Sequence, residues 1–480
     1  MTLDEFEVWY RSRYRRTSSA LTATCMVAAD LFGVMLSFGA GFFLVNLYDM
    51  SFINFKSFVT YWPYLPLFIV VFWVARLYPG VSLAPAEELR HFFIGSLMAH
   101  GGIVISRYIE DLEFDPISAA FIISFIFSTI ILLICRSCTR ALLRKTRLGG
   151  IPAVIFGGGS AGRMVVDRCL RSRIGYVPVL ILDDDPSTGS AYQEVPIIHD
   201  TSMGPELVKR FNIKMAIVAM PTGSDRKFLE HLLNYSVAAF RYNVLIPDFF
   251  SVTNIWMSVR DFEGILGLAT SQKLKMSWNL GIKRCIDLGI VIVGGILILP
   301  LLLVFALLIK VSSPGPVLYG HTRLGRDGKH FKAYKFRSMV VDAEEQLELM
   351  LESNPQIREE WERNHKLKND PRVTKIGRFL RRTSFDEFPQ LFNILKGEMS
   401  LVGPRPVVDT EVEKYGENYD RIFSVKPGLT GLWQVSGRSD TDYVERVAFD
   451  TYYLQSWSVW LDLWILYKTV GVVIRGKGAY

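Results

Sequence analysis

The chain has 480 residues, is half hydrophobic and carries a formal net charge of +7. That length leaves room for about three domains, and its apolar residues gather in runs, which excludes a plain soluble globule. The positive balance suits anionic partners such as lipid headgroups or nucleotide phosphates. No helix-turn-helix, zinc module or aromatic–basic repeat argues for nucleic acid.

Arg11, Arg13, Arg15 and Arg16 open the chain ahead of an apolar stretch with no clear cleavage site, so no cleavable signal peptide is expected. Four apolar segments follow, at roughly 21–47, 61–77, 91–109 and 117–135, each near the ~20 residues a helix needs to cross a bilayer. Asp30 and His100 are polar exceptions expected to face the bundle interior. The N-terminal arginines and Arg136, Arg140, Arg144, Lys145 and Arg147 mark both ends of the bundle as cytoplasmic, while the acidic run Glu110–Asp115 suits the outer side. The five cysteines form no spaced framework, which points to a reducing compartment. Cys135-Arg136-Ser137-Cys138 lacks the second pair that a zinc site needs and reads as incidental.

Pro152–Phe156 reads as a buried strand, followed by Gly157-Gly158-Gly159-Ser160-Ala161-Gly162 and helical sequence. Gly157, Gly159 and Gly162 thus satisfy a dinucleotide-loop spacing. A second strand, Val177–Leu182, ends in Asp183-Asp184-Asp185, where an acidic ribose ligand would sit. Further strands at Met215–Ala219 and Tyr242–Ile246 complete a small Rossmann-like α/β domain. Such glycines also serve strand–helix packing with no ligand, and no Tyr-x-x-x-Lys pair occurs in the chain, so a structural or assembly role is favoured over nucleotide binding.

A fifth apolar run, Ile286–Ile309, is long enough to span. Lys283 and Arg284 precede it and Lys310, Arg323 and Arg326 follow it. With both flanks basic, the positive-inside rule keeps them on one face. Pro300 stands mid-run, where a helix breaks or kinks. These features predict a re-entrant helical hairpin over about 284–310, with a kinked true span as the alternative.

Asp386 and Glu387 then stand side by side. From Arg372 to Arg405 there are seven Lys or Arg and three acids, two of them this pair. Carboxylates in that setting should stay ionised at neutral pH and suit a phosphorylated substrate, with a metal ion or a covalent step at the acids. Alternatively, Asp386 is the N-cap of a helix beginning at Glu387, since Pro389 is tolerated only near a helix start. Arg405, between Pro404 and Pro406, can present a guanidinium fork to phosphate, and Arg381 sits a turn ahead of the acids. Lys335 and Arg337 alternate as on a strand and share a face, for nucleotide or phosphate contact or as a solvated sheet edge. Asp342 is a second carboxylate candidate or the N-cap of Ala343–Leu351, and Gln390 is a further candidate.

Several motifs in this region carry a resemblance: Lys335-Phe336-Arg337-Ser338-Met339, Asp386–Leu391, Ser400–Pro406 and Lys426–Gly431. In that order they resemble the bacterial sugar-transferase domain of the polyprenol-phosphate phosphoglycosyl transferases, the monotopic superfamily, over about 200 residues. The whole layout resembles the long members that initiate O-antigen (lipopolysaccharide), capsule or exopolysaccharide synthesis. This chain departs at Phe388, where the acidic motif usually has Leu, and at Leu299-Pro300, where the break is commonly Ser-Pro.

The resemblance implies transfer of a sugar 1-phosphate from a UDP-sugar to undecaprenyl phosphate, releasing UMP, with galactose favoured and glucose next. It makes Asp386 the nucleophile that forms a covalent phosphosugar, and Glu387 a ligand for Mg²⁺, with Asp342 a second metal candidate. The implied architecture is a membrane protein of α plus α/β class: a four-helix transmembrane bundle over 1–148, a Rossmann-like cytoplasmic domain over 149–255, a linker over 256–277 and a catalytic domain over 278–480 containing the re-entrant helix. The expected location is the bacterial inner membrane with the catalytic domain on the cytoplasmic face. Inner-membrane lipids and a second copy, as a homodimer, are expected partners, and no nucleic acid is. The charged segment 342–369 predicts a solvated helix pair, and Trp457, Trp460, Leu461, Trp464, Ile465 and Lys468 predict an interfacial helix. A Rossmann-type membrane oxidoreductase or dehydratase and a polysaccharide-assembly scaffold are the competing classes.

Overall fold

The computed structural model describes residues 2–14, 19–48, 59–78, 84–146, 149–171, 175–219, 232–246, 257–262, 265–270, 273–353, 358–359, 370–436 and 443–475. Arg15, Arg16, Arg147 and the charged stretch 360–369 therefore lie outside the described residues. Two compact units divide the chain, Met1–Ser251 and Val252–Tyr480.

In the first unit, helices Ser19–Tyr48, Pro85–Asp111 and Pro116–Lys145 are long and apolar enough to cross a membrane. The second expected span is much shorter. A 3₁₀ turn, Trp62–Tyr64, leads into a helix over Leu65–Val74, which together reach only about 20 Å. Pro63 and Pro66 lie at the starts of these turns, where a proline's missing N–H costs nothing. Arg76 ends the helix in a left-handed conformation, φ 56°, while Leu77 N–H bonds back to Phe72 O.

Phe38, Phe68, Phe72, Phe92 and Phe121 fill the bundle core. His100 faces inward as expected, its ring edge-on to Phe38 and Phe68. Asp30 also faces inward, but it is paired. Arg136, 1% exposed, reaches both Asp30 oxygens at 2.8 and 2.6 Å and Glu88 Oε1 at 2.9 Å. Arg140 bonds Glu88 Oε2 at 2.8 Å, and Tyr78 donates to Asp30. Arg136, counted as flanking charge in the sequence, is thus a buried partner that satisfies two acids.

A six-stranded sheet follows, ordered β3-β4-β2-β1-β5-β6. Its strands are β1 Ile151–Phe156, β2 Tyr176–Leu182, β3 Ala191–Tyr192, β4 Val195–Ile198, β5 Met215–Val218 and β6 Tyr242–Leu245. Only β3–β4 is antiparallel, so this region is a mixed, mostly parallel α/β sheet. The N-terminal helix Leu3–Tyr14 docks on this domain. Phe6 and Tyr10 join the core of Val154, Phe156 and Leu182, and Arg210 pairs with Asp4 at 2.7 Å.

In the second unit, the stretch read as a linker contains an antiparallel hairpin, β7 Met257–Phe262 with β8 Ile265–Thr270. Next comes one helix, Ser277–Ser312, which runs through Pro300 without interruption. The sequence predicts a helix–break–helix at that proline, and the structure keeps a single element about 54 Å in contour. It is the fourth helix among the described residues with the length and hydropathy to cross a membrane. Its ends are anchored in the same unit. Lys283 bonds Asp462 and Asp287 accepts from Ser400 near the start, while Phe305 and Ile309 pack with Phe336 and Leu380 near the end. Between them Ile292, Val293, Ile296, Leu297 and Leu303 are exposed.

The C-terminal helices close the unit. Half of the expected interfacial stripe is core: Trp457, Leu461 and Ile465 are buried, and Trp460, Trp464 and Lys468 are partly exposed. Asp462, taken from the sequence as an interruption of an apolar run, is a buried hub. It accepts from Lys283 at 2.7 Å, Tyr453 at 2.8 Å and Trp457 Nε1 at 3.0 Å.

Candidate active site

Two strands and two helices converge on the acidic pair. β9 Leu318–Leu324 and β10 His330–Phe336 form an antiparallel hairpin that pairs Lys335 with Tyr319 and Phe331 with Arg323. Helix Lys375–Thr383 starts at Thr374, whose Oγ1 accepts Gly377 N–H at 2.9 Å. A Cβ on Gly377 would stand 2.0 Å from Ser338 O, so only glycine lets this helix lie so close to the end of the hairpin.

Ser384 ends that helix in a left-handed conformation, φ 59°, which costs energy for a residue other than glycine. The chain then makes a single 3₁₀ turn, Phe385–Glu387, and enters helix Gln390–Lys396 behind Pro389. Asp386 is therefore not a helix N-cap. Pro389 occupies that position with no side-chain cap bond, and Asp386 sits inside the turn. Gln390 is buried at the first residue of the following helix.

Lys335 Nζ meets Glu387 Oε1 at 2.6 Å, across 52 residues of sequence. Asp386 is half-buried, and burial, then the charge of Glu387, pushes its carboxyl up to about 6, against the pull of Lys335 and Arg381. The basic neighbourhood was expected to hold these acids well ionised. Burial outweighs it, and Asp386 is left ionised at neutral pH by a narrow margin. Arg381 Nε donates to Ser338 Oγ at 2.8 Å, which fixes it beside Asp386.

The other sequence candidates divide. Arg337 does not share Lys335's surroundings. Its guanidinium donates to the carbonyls of Pro314 and Ser313 at 2.9 and 2.8 Å, closing the end of the long helix. Arg405 is exposed and stacks on Trp433, 5.5 Å from its ring centroid. Asp342 is exposed at the start of helix Ala343–Ser353, where Oδ2 accepts from Gln346 Nε2 at 2.8 Å. Among the described residues no group of three or more His, Cys, Asp or Glu is placed to hold a metal. A Mg²⁺ site that relies on one or two carboxylates and on substrate phosphates remains compatible with Asp386 and Glu387. Pro300 lies inside the long helix, as described above.

Arg323 was missed. It lies in electrostatic reach of both Glu387 and Arg405 and pairs with Glu411 at 3.7 Å, so it links the acidic turn to the Arg405 loop. Its signal was the alternation of the strands flanking Gly325-Arg326-Asp327-Gly328, which sets Arg323 two positions before a tight turn.

In the first unit, the glycine loop is committed internally. Gly158 N–H donates to Asp183 Oδ2 at 2.5 Å, and Asp184 accepts from Thr201 N and Oγ1. A Cβ on Gly162 would stand 1.8 Å from Gly157 O, so that glycine serves strand–helix packing. Gly159 is exposed at the loop tip.

Comparison with known proteins gives the chain's family. A bacterial sugar transferase profile matches residues 278–476, and a CoA-binding domain profile matches residues 80–237. The chain is 38% identical over 357 residues to an undecaprenyl-phosphate galactose phosphotransferase of Salmonella typhimurium, covering 74% of each chain. It is 39% identical to a UDP-galactose-lipid carrier transferase of Erwinia amylovora over 72% of each. It is 33% identical to a UDP-glucose:undecaprenyl-phosphate glucose-1-phosphate transferase of Escherichia coli, over 77% of this chain and 78% of that one. The chain belongs to the bacterial sugar transferase family.

Proposed function

We propose that the chain transfers a hexose 1-phosphate, galactose 1-phosphate by preference, from a UDP-sugar to undecaprenyl phosphate as a first membrane step of polysaccharide synthesis. The observation that carries this reading is the turn bearing Asp386 and Glu387. It sets a carboxylate with pKa about 6 beside Lys335 and Arg381, while Phe385 of the same turn packs on the apolar helix through Phe305.

In the first half-reaction an ionised Asp386 oxygen attacks the β-phosphorus of the UDP-sugar. The bond from that phosphorus to the α–β bridging oxygen breaks, and UMP leaves. In the second, a phosphate oxygen of undecaprenyl phosphate attacks the aspartyl phosphosugar, and the Asp386 carboxylate is regenerated. Splitting one displacement into two gives ping-pong kinetics. Lys335 holds Glu387 in place, and Arg381, Arg405 and Arg323 supply positive charge around the phosphates. Glu387, with Asp386 nearby, would hold Mg²⁺, which neutralises diphosphate charge when bound. Asp342 has a different immediate partner and is the weaker ligand candidate.

The long helix is read as re-entrant, with both basic flanks on the cytoplasmic face of the inner membrane. Its two ends anchor in one small unit while the apolar middle is exposed. That arrangement would bring a lipid-borne phosphate up to Asp386. A homodimer is proposed on the strength of the added bundle and sheet domain.

Purified protein incubated with UDP-galactose labelled in the β-phosphate should retain label on wild type and lose it on Asp386→Asn. Absence of turnover with any UDP-sugar and undecaprenyl phosphate would sink the assignment. A panel with UDP-glucose decides the sugar, glucose being the alternative that the Escherichia coli relative favours.

A further inference from the structure

Behind the Pro404–Arg405–Pro406 turn lies a carboxyl that the proposed reaction does not use. Asp450, in helix Tyr443–Ser456, is 1% exposed. Among the described residues neither of its oxygens has a hydrogen-bond partner. The backbone N–H and the charge of Arg405 both act on it and favour its ionised form, against burial. Buried polar groups are nearly always satisfied, so an exception calls for a reason. Burial pushes this carboxyl up to about 8, so at neutral pH it is uncharged and still offers a carbonyl oxygen to that N–H.

The side chain of Arg405 is held from another direction. Its guanidinium lies 5.5 Å from the Trp433 ring centroid, and Arg446, one helical turn before Asp450, lies 5.0 Å from the same ring. Trp433 is itself buried, and its Nε1 is also without a partner among the described residues. A guanidinium over an indole face is attracted by the ring quadrupole. Gly403 and Gly428 bind the base of the turn through Thr430 O and Pro404 O, at 2.9 and 2.8 Å. These bonds hold the turn's frame, and the Arg405 N–H and its long side chain are the groups they leave out.

We propose that Asp450 and Trp433 are positioning residues for Arg405, Asp450 fixing the amide of the turn and Trp433 the guanidinium, so that the fork meets a substrate phosphate already oriented. This rests on the reading of Arg405 as a phosphate ligand given above. Neither residue touches substrate. Their effect is to reduce the rotamer freedom Arg405 loses on binding.

The test is a pair of double-mutant cycles on full-length protein with UDP-galactose and undecaprenyl phosphate, with thermal unfolding recorded for every variant. Asp450→Leu should lower kcat/KM about 10-fold when Arg405 is present and less than about 2-fold in the Arg405→Ala background. Asp450→Asn keeps a carbonyl and should recover most of the activity. Trp433→Leu should show the same dependence on Arg405, and it decides the matter if Asp450→Leu does not fold. Equal losses in both backgrounds, with Arg405→Ala itself strongly impaired, would overturn the positioning role and leave the phosphate role intact. Full activity of Arg405→Ala would overturn both.

Discussion

Phe305 of the long apolar helix and Phe385, the residue before the acidic pair, lie with ring centroids 5.2 Å apart. Phe385 also packs on Phe388 at 4.9 Å, so one aromatic stack runs from the helix to the far side of the Asp386–Glu387 turn. Phe305→Ala should cost about 3 kcal/mol through the cavity it leaves and should lower turnover more than Phe305→Leu does. Thermal unfolding and transfer assays on the two variants check this. Equal activity in both would separate the helix from the site.

The acid limb of the rate profile should report Asp386. Attack needs the ionised carboxylate, so activity should fall as pH drops through about 6, where burial and Glu387 place this group. Lys335 and Arg381 pull that value down. Lys335→Met removes one of these cations, so the limb of kcat/KM should move to higher pH, whereas Lys335→Arg should hold it. An unmoved limb in Lys335→Met assigns the titration to another group.

Asp462 joins three helices through Lys283, Tyr453 and Trp457. Asp462→Ala leaves a buried ammonium without its partner, a loss of roughly 3–5 kcal/mol. The double variant Lys283→Met/Asp462→Leu removes both charges and should recover much of that stability. Thermal unfolding of the wild type and the two variants checks whether removing both charges costs less than removing one.

Orientation can be read by cysteine labelling. In a background without the five natural cysteines, Glu113→Cys should react with a membrane-impermeant maleimide on intact cells and Ala84→Cys should not. The opposite pattern would reverse the assignment drawn from the basic flanks.

The acidic pair, Lys335, Arg381 and Arg405 were legible because each stands in a short motif whose residue types already suggest phosphate chemistry. What the sequence hid are contacts between distant positions. Glu387 finds Lys335 across 52 residues, and Asp462 finds Lys283 across 179. Strand alternation placed Lys335 and Arg337 on one face, but Arg337 lies past the end of β10, where its N–H bonds Val317 O and its guanidinium reaches the carbonyls of Ser313 and Pro314. Aromatic spacing near the C-terminus suggested a membrane interface, yet the same spacing builds a core when another helix supplies Lys283 to a buried acid. The second apolar segment was overestimated in length, since hydropathy does not register the left-handed stop at Arg76.

The N-terminal helix on the sheet domain has a topological consequence. Tyr14 and Ser19 are joined by a stretch that can reach about 18 Å, and Lys145 and Ile151 by one that can reach about 22 Å. Neither stretch is long enough to cross a hydrocarbon layer about 30 Å thick. Leu3–Tyr14 and Ile151–Phe156 share one core, so the proposed membrane reading requires the bundle to begin and end on the same side, with an even number of traverses, independently of the flanking charges. Three long helices alone make an odd number. The proposed even count therefore rests on the short helix over Leu65–Val74 making the fourth traverse, so the shortest apolar element of the bundle decides the parity of the whole.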